Sequence, residues 1–288
     1  MTLAEALDRL PSLRLTVEAA GLMAKKALGQ NFLLDRNITD KIIRLSLEKQ
    51  NLENYRGAAV FEIGPGPGGL TRAVLSAEPD IFTVIEMDER CIALMEQLRK
   101  ICGERLQIVN GDALQFDFAA PSPLPRHIVS NLPYNISVPL LVGWLKQIDK
   151  FRSLTLMFQK EVADRIMAAP GTKDYGRISI LSQLQCRVEK LFDLNPQCFV
   201  PAPKIWSSVL LFRPRENLLT AKEIKNIEHL TTLAFGQRRK MLRNSLRAAF
   251  GDFGGVEHPF FTQRAEQLSV ADFVELTRWV EEHIYPND

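Results

Sequence analysis

The sequence predicts an α/β domain with a mostly parallel sheet, followed by a small all-helical domain. From about residue 57 onward, short apolar runs alternate with amphipathic stretches, which is the pattern of repeated β-α-β units. Beyond Pro214, residues 220–285 contain only segments with helical spacing, with breaks at glycine and proline. The change of pattern at Pro214 therefore predicts two domains of different secondary structure.

The predicted elements follow one another in a regular order. The expected strands are 58–63, 81–85, 106–109, 127–130 and 154–158. The expected helices between them include 91–99, 138–148 and 161–169. Two later apolar runs, 188–194 and 208–212, are predicted to complete the sheet as an antiparallel edge pair. Strands that alternate with helices in this way predict a Rossmann-like domain with helices on both faces of the sheet.

The pattern predicts that the chain divides into three segments. Residues 25–214 are predicted to form the Rossmann-like domain, and residues 215–288 the helical C-terminal domain. Residues 1–24 show helical spacing at Leu3, Leu7 and Leu10 before a break at Pro11, and we interpret them as an N-terminal extension.

Composition narrows the class of protein. The 288 residues are 46% hydrophobic and 24% charged, with a formal net charge of +2, which is ordinary for a globular protein. The four cysteines and four histidines are scattered without ligand spacing, so we expect no metal site and a reducing compartment. No apolar run approaches the ~20 residues that a membrane span needs. We expect a cytoplasmic protein, and nothing in the sequence suggests an obligate dimer, so a monomer is expected.

A glycine-rich loop follows the first expected strand. Gly64, Gly66 and Gly69 satisfy G-x-G-x-x-G, and Glu86 ends the next expected strand. Glycines let a backbone turn sharply beside a ligand, and a carboxylate at that place can accept hydrogen bonds from ribose hydroxyls. The loop by itself fits a dinucleotide and S-adenosylmethionine equally well.

Two further segments separate these alternatives. Asp112 follows the third expected strand, where it could accept a hydrogen bond from an adenine amino group or act as a helix N-cap. Asn131-Leu132-Pro133-Tyr134 follows the fourth. The Asn131 side-chain oxygen and the Leu132 carbonyl are two acceptors for the N–H bonds of an adenine amino group, and Pro133 restricts the direction of that carbonyl.

This tetrapeptide indicates methylation of an adenine amino nitrogen. The nitrogen is a weak nucleophile because its lone pair is delocalised into the ring, so two oriented acceptors can turn the lone pair toward a sulfonium methyl group. Tyr134 offers a ring on which an extruded base can stack. Orientation in a water-poor pocket would supply most of the acceleration.

At these residues the sequence resembles the ribosomal RNA adenine N6,N6-dimethyltransferases, in particular their bacterial small-subunit branch. The resemblance extends from Lys25 to about Trp279. It is carried by segments 29–33, 64–69, 86–88, 111–113, 131–137, 159–162, 175–177 and 199–204. The series in this order is highly specific.

The resemblance implies S-adenosylmethionine as methyl donor and dimethylation of two adjacent adenosines near the 3′ end of small-subunit (16S) rRNA in immature ribosomal subunits. It also implies that Phe199 faces Tyr134 across the flipped adenine. The expected cofactor-binding residues are Gln30, Asn31, Leu33, Gly64, Gly66, Glu86, Met87, Asp112, Ala113 and Asn131. Trp206 departs from the family pattern, which commonly has an acidic residue there, so RNA contacts at this position are expected to differ.

Positive charge is concentrated in residues 237–247, which contain no acidic residue. Arg239, Arg243 and Arg247 are spaced four residues apart, which predicts one stripe along a helix, while Leu242, Leu246 and Ala249 would face inward. The expected phosphate-contacting residues are Arg238, Arg239, Lys240, Arg243 and Arg247. Lys25 and Lys26 are a second, weaker candidate cluster for RNA.

Three alternatives stay open from the sequence. The first is a large-subunit rRNA adenine methyltransferase of the same family. The second is a ribosome-assembly factor whose binding matters more than its catalysis. The third is a nicotinamide-dependent oxidoreductase, which would leave Asn131 to Tyr134 unexplained.

Overall fold

The computed structural model describes residues 3–22, 31–120, 122–251, 253 and 257–284. The chain divides into two compact units: the first contains Met1–Ala163 and Glu189–Pro214, and the second Asp164–Val188 and Arg215–Asp288. The expected boundary after residue 214 coincides with one edge of these units. Residues 164–188, however, were expected in the sheet domain and lie in the second unit.

A seven-stranded sheet forms the centre of the first unit. Its strands are β2 (Ala59–Ile63), β3 (Ile81–Glu86), β4 (Leu106–Asn110), β5 (Arg126–Asn131), β6 (Ser153–Gln159), β7 (Cys186–Leu194) and β9 (Ser207–Pro214). They lie in the order β4-β3-β2-β5-β6-β9-β7. The first five pair in parallel, and β9 runs antiparallel to β6. The mostly parallel sheet with an antiparallel edge strand is therefore confirmed.

The strand order reverses its direction between β2 and β5. From β2 the chain proceeds outward through β3 and β4, then returns to place β5 on the other side of β2. Such a switch point leaves a crevice at the carboxyl ends of the two central strands. The central strands are buried on both faces, as expected for a parallel sheet covered by helices.

Seven helices are described in the chain up to residue 167, and some of them are capped by local side chains. They are α1 (Leu3–Asp8), α2 (Leu13–Ala19), α3 (Arg36–Gln50), α4 (Gly69–Ser76), α5 (Glu89–Cys102), α6 (Ser137–Leu145) and α7 (Lys160–Met167). Asp35 and Asp88 cap α3 and α5 by accepting from backbone N–H groups two residues onward. The expected helix 138–148 ends earlier, at Leu145, and a short 3-10 turn follows at Ile148–Lys150.

A two-stranded ladder lies apart from the main sheet. β1 (Phe32–Leu33) pairs antiparallel with β8 (Phe199–Val200), with Leu33 opposite Phe199. The sequence did not indicate this ladder because two residues are too few to show a period. It ties the segment before α3 to the segment before β9.

The N-terminal extension packs onto the first unit. Leu7 and Leu13 are buried, the Arg72 side chain donates to the Pro11 carbonyl at 2.8 Å, and Arg36 pairs with Asp8 at 2.6 Å. The expected helical character and the break at Pro11 are confirmed for its described residues.

The second unit consists mainly of helices. Its helices are α8 (Arg177–Gln185), α9 (Ala221–Gly236), α10 (Leu242–Phe250) and α11 (Val270–Ile284). A capping box between Thr220 and Glu223 starts α9. α8 contacts both α9 and α11, which explains why residues 164–188 belong to this unit.

The predicted arginine stripe is wrong in one respect. α9 ends at Gly236 and α10 begins at Leu242, so Arg239 lies in the turn between the helices and not on a helix with Arg243 and Arg247. Leu242 and Leu246 are buried as expected, whereas Ala249 is exposed. The break follows from Gln237, whose φ of −134° ends the helix.

Candidate cofactor and substrate site

A cleft opens at the switch point of the sheet, within the first unit. β2 and β5 pair only as far as Phe61 opposite Ile128. Beyond that pair, the Ser130 hydroxyl donates to the Ile63 carbonyl at 2.8 Å and accepts from the Ile63 N–H at 3.3 Å. A side chain thus replaces the backbone ladder where the two strands separate.

The cleft encloses a cavity of about 260 Å³ lined by the segments that follow four parallel strands. The predicted residues that line it are Asn31, Leu33, Gly64, Gly66, Glu86, Met87, Asp112, Ala113, Asn131, Leu132, Pro133 and Tyr134. Gln30, Lys25 and Lys26 lie outside the described residues. Residues more than 100 positions apart in sequence, such as Asn31 and Tyr134, therefore meet in one cleft.

The glycine loop follows the backbone path that its composition predicts. Gly64 and Gly66 have φ of +64° and +55°, in the left-handed region that favours glycine. A Cβ at Gly66 would lie 3.0 Å from the Phe32 ring, and one at Gly69 would lie 2.1 Å from the Leu33 carbonyl oxygen. A side chain at either of these two positions would therefore collide with β1.

Glu86 ends β3 with both carboxylate oxygens in hydrogen bonds. Oε1 accepts from the N–H groups of Met87 and Asp88 at 2.8 and 2.9 Å, and Oε2 accepts from the Gly66 N–H at 3.3 Å. Burial raises the pKa of Glu86, while these three backbone N–H groups act in the opposite direction. The carboxylate is therefore held in one orientation beside the glycine loop.

Glu62 is a second acidic group at the cleft, and the sequence reading did not single it out. Its side chain is buried and accepts from the Thr71 hydroxyl at 2.7 Å. Burial raises the pKa of Glu62 to about 8, and the nearby Glu86 adds to this increase. Its place two residues before Gly64 was a signal that could have found it.

Asp112 both lines the cleft and stabilises its own turn. Oδ1 accepts from the Leu114 N–H at 2.9 Å, and Oδ2 receives a 3.5 Å contact from the Gln115 amide. No helix begins here, so Asp112 caps a turn and not a helix. The turn holds the carboxylate at the edge of the cavity.

Asn131 is the last residue of β5 and is half-buried in the cleft. Its Nδ2 donates to the backbone carbonyl of Asn31 at 3.2 Å. The amide nitrogen is thereby directed toward the segment before β1, which points the Oδ1 acceptor to the other side of the carboxamide. The orientation of Asn131 depends on a residue 100 positions earlier in the chain.

Leu132 is buried. Pro133 packs against the glycine loop, since a Cβ added at Gly64 would lie 3.3 Å from the Pro133 Cγ. Tyr134 is half-buried, and its hydroxyl shares a 2.6 Å hydrogen bond with Ser207 at the start of β9. Burial raises the pKa of Tyr134, so its phenol stays protonated around neutral pH. The ring is fixed at both ends, by its backbone and by Ser207.

Phe199 lies in β8 opposite Leu33, and only 2% of its surface is exposed. It belongs to the hydrophobic core of the unit and is not among the residues that line the cavity. β8 nevertheless pairs with the β1 segment, whose Leu33 does line the cavity.

Several lining residues were not among those predicted for the site, although some of them, such as Gly69, lie within the predicted motifs. They are Phe32, Glu62, Ile63, Pro65, Pro67, Gly69, Leu70, Ile85, Gly111, Leu114, Asn135 and Ile136. Most are neighbours of predicted residues, so widening each motif by two positions would have found them.

The basic residues of the second unit have unequal surroundings. Arg238 donates to the carbonyls of Lys173 and Tyr175 at 3.0 Å each, and its Nε lies 3.7 Å from Glu266. Arg243 forms an ion pair with Glu257. Arg239, Lys240 and Arg247 are exposed.

The described residues show features neither of a metal site nor of a membrane span. Among these residues, no group of three His, Cys, Asp or Glu side chains is arranged to hold a metal ion. None of the helices described has both the length and the apolar character that crossing a membrane requires.

Comparison with known proteins agrees with this geometry. The family model described as "Ribosomal RNA adenine dimethylase" matches residues 21–281. A protein from Rhodospirillum rubrum named "Ribosomal RNA small subunit methyltransferase A" is 46% identical over 279 residues, which cover 95% of this chain and 94% of the relative.

Two solved structures share the fold at a greater distance. A dimethyladenosine transferase from Plasmodium falciparum is 25% identical, with a TM-score of 0.72 over 86% of this chain and 97% of that one. The 23S rRNA methyltransferase ErmE is 26% identical, with a TM-score of 0.59 over 86% of this chain and 100% of that one. The chain therefore belongs to the ribosomal RNA adenine dimethylase family, a family of S-adenosylmethionine-dependent RNA methyltransferases.

Proposed function

We propose that this enzyme dimethylates N6 of two adjacent adenosines near the 3′ end of small-subunit (16S) rRNA, within immature small ribosomal subunits. The observation that carries the proposal is the orientation of Asn131, whose amide nitrogen is held by Asn31 while its oxygen is directed away from that contact. The small-subunit name of the 46% identical relative supports this choice of RNA. Such a substrate places the reaction in the cytoplasm, where ribosomes assemble.

The residues of the cleft fit the cofactor. The glycine loop turns beside the cavity with Gly64 and Gly66 in the left-handed region, and Glu86 presents a carboxylate next to it. We infer that Glu86 accepts from ribose hydroxyls and Asp112 from the adenine amino group, with Asn31, Leu33, Gly64, Met87 and Ala113 completing the site. When bound, S-adenosylmethionine supplies the electrophilic methyl group.

The residues of the chain act on the target nitrogen by orientation. In the first transfer the Asn131 oxygen and the Leu132 carbonyl each accept a hydrogen bond from one N–H of the adenine amino group, and in the second transfer one of them accepts from the single remaining N–H. The nitrogen lone pair is thereby turned out of conjugation with the ring. Pro133 restricts the Leu132 carbonyl to an extended backbone direction. Because the methyl group and the target nitrogen are held in this geometry, they do not have to meet by chance in solution. This orientation is the main source of the acceleration of methyl transfer.

Tyr134 receives the base by stacking. Its hydroxyl is anchored on Ser207, so the ring does not have to be ordered when the adenine enters. Phe199 supports this part of the site from β8 through its pairing with Leu33. The alkylated nitrogen carries a positive charge and is strongly acidic, so it passes its proton to water and needs no strong base.

The RNA itself would contact exposed cations of the second unit. Arg239, Lys240 and Arg247 are exposed and can reach phosphates, and Arg243 adds positive charge although Glu257 partly balances it. Arg238 has backbone carbonyls and Glu266 as partners, which assigns it mainly to holding the unit together.

Transfer of labelled methyl groups from S-adenosylmethionine tests the proposal. The substrates are unmethylated small ribosomal subunits and, separately, protein-free large-subunit rRNA, with Asn131→Ala as the control protein. Label in dimethyladenosine on the small subunit alone, lost in the variant, is the expected result. If neither RNA is labelled while the protein binds small subunits, a role in assembly without catalysis would replace the proposal.

The fold shared with the 23S rRNA methyltransferase ErmE favours a second candidate, methylation of large-subunit RNA. The same experiment separates the two, because label would then appear on the protein-free large-subunit rRNA. The family assignment leaves no reason to retain the nicotinamide oxidoreductase alternative.

A further inference from the structure

An exposed apolar loop lies beside the Tyr134 anchor. Val200, Ile205 and Trp206 are 43%, 39% and 47% exposed, although each is a large hydrophobic residue. Exposed aromatic rings are typical of surfaces that bind a partner, because covering one removes a large apolar area from water.

Trp206 directly precedes β9, at the edge of the sheet onto which the cleft opens. β9 runs antiparallel to β6, and its first residue, Ser207, pairs with Gln159 at the carboxyl end of β6. Trp206 therefore lies at the same edge of the sheet as Asn131, the carboxyl-terminal residue of β5. It precedes Ser207, which holds the Tyr134 hydroxyl.

The backbone at Trp206 is fixed although its side chain is exposed. The Trp206 carbonyl accepts from the Lys160 N–H at 2.8 Å, which ties it to the start of α7. A ring on a fixed backbone loses little conformational entropy when a base stacks on it.

The charge of this segment suits an RNA strand. Between Asp193 and Glu216 the sequence has no acidic residue, and Lys204 lies exposed two positions before Trp206. Aromatic rings beside cations bind single-stranded nucleic acid by stacking bases while the cations meet phosphates.

We propose that Trp206 stacks the base that flanks the target adenosine, so that one base enters the cleft at Tyr134 while its neighbour rests on Trp206. The inference rests on the proposed function and adds to it a substrate contact. Because the two target adenosines are adjacent and the strand keeps one direction, the stacked neighbour is the other adenine in one of the two methylation steps and the next flanking nucleotide in the other step.

Steady-state kinetics with unmethylated small subunits test this contact. Trp206→Ala should raise the KM for the RNA substrate roughly tenfold, as expected for the loss of one base stack, and leave the Kd for S-adenosylmethionine unchanged. Trp206→Phe, which keeps a ring, should have an intermediate KM. Ile101→Ala is the matched control, since Ile101 is 40% exposed near the end of α5, just before β4 starts at the opposite edge of the sheet. An unchanged KM in Trp206→Ala would overturn the proposal.

Fluorescence gives a second readout that does not depend on turnover. Base stacking quenches tryptophan emission, and the other two tryptophans, the buried Trp144 and the partly buried Trp279, are present in both proteins, so saturating RNA should quench the wild-type protein more than Trp206→Phe. Equal quenching in the two proteins would contradict stacking. If the wild type methylates large-subunit RNA instead, the proposed function fails while the same quenching measurement on that RNA still decides the role of Trp206.

Discussion

Gly69 lies directly against the backbone of Leu33: a Cβ added at Gly69 would be 2.1 Å from the Leu33 carbonyl oxygen. This contact joins the first turn of α4 to β1, and β1 in turn pairs with β8. The third glycine of the loop is therefore required by the close approach of another segment, because its own φ is not in the left-handed region.

Gly69→Ala should lower the free energy of unfolding by about 1–3 kcal/mol, as overpacking against a fixed backbone does. It should also weaken S-adenosylmethionine binding, since β1 would have to move away from the loop. Urea unfolding and calorimetric titration with S-adenosylhomocysteine measure the two effects. Gly143→Ala is the control: it lies inside α6 with nothing within 4 Å of an added Cβ, and it should stabilise the protein by about 0.5–1 kcal/mol.

Asn131→Ala should lower the single-turnover rate of methyl transfer by about 10²–10³-fold, the usual cost of removing one oriented polar group from an active site. Asn131→Asp keeps an acceptor but cannot donate to the Asn31 carbonyl, so its side chain should turn away and the rate should fall as well. Rapid-quench assays of both variants measure this. Wild-type rates in Asn131→Asp would show that the contact with Asn31 does not set the orientation.

Tyr134→Phe and Ser207→Ala should have similar effects because both remove the same hydrogen bond. Each should lower kcat/KM by a few-fold, in line with about 0.5–1.5 kcal/mol for one hydrogen bond. The double variant should be no worse than either single variant, as a double-mutant cycle would show. Strictly additive losses would mean that the two hydroxyls act independently. Tyr134→Ala, which removes the ring, should cost much more.

Glu62→Gln should change how stability depends on pH. The pKa of Glu62 rises from 4.5 in the unfolded chain to about 8 in the folded protein, so the folded state holds the extra proton between these values. The wild type should therefore lose stability as pH rises through this window, by up to about 1.4 kcal/mol per pH unit. Glutamine keeps an acceptor for Thr71 and has no proton to lose.

Denaturant unfolding at pH 5 and at pH 8.5 measures this difference. The two proteins should be similar in stability at pH 5, and Glu62→Gln should be the more stable at pH 8.5. If the difference in stability between the two proteins is the same at pH 8.5 as at pH 5, the pKa of Glu62 is not raised by folding.

Arg238→Ala should lower the stability of the second unit by about 1 kcal/mol, because it removes donors to the Lys173 and Tyr175 carbonyls. The double variant Arg239→Gln, Lys240→Gln should leave the thermal midpoint unchanged but weaken RNA binding. The logarithm of the RNA association constant falls with the logarithm of the salt concentration, and the steepness of this fall should decrease by roughly 0.7–0.9 per lost phosphate contact. Filter binding between 50 and 200 mM salt measures the slope, and an unchanged slope would remove these two residues from the RNA surface.

Local periodicity was sufficient to predict most of the sheet. The expected strand at 58–63 is observed at Ala59–Ile63, and that at 154–158 at Ser153–Gln159. A buried parallel strand is a short apolar run with a glycine or polar residue at its end, so its position can be predicted from neighbouring residues in the sequence. The glycine loop and Asn131–Tyr134 were found for the same reason, since each motif is contiguous in sequence.

Contacts between distant segments could not be predicted in this way. The β1–β8 ladder joins residues about 167 positions apart, and neither two-residue strand has a period. The burial of Glu62, the anchor of Tyr134 on Ser207 and the contact of Asn131 with Asn31 each join different elements. The end of α9 at Gly236 likewise separated Arg239 from the helix that its spacing predicted.

The sequence by itself determined the order of strands and helices, the glycine loop, and the tetrapeptide that indicates chemistry at an adenine amino group. These features depend on interactions between residues near each other in the chain, so they can be predicted from the local pattern of residue types. The tertiary structure decided which way Asn131 faces, what holds Tyr134, and that residues 164–188 join the helical unit. Those features depend on the packing of segments far apart in sequence, and that packing exists only when the whole chain is folded.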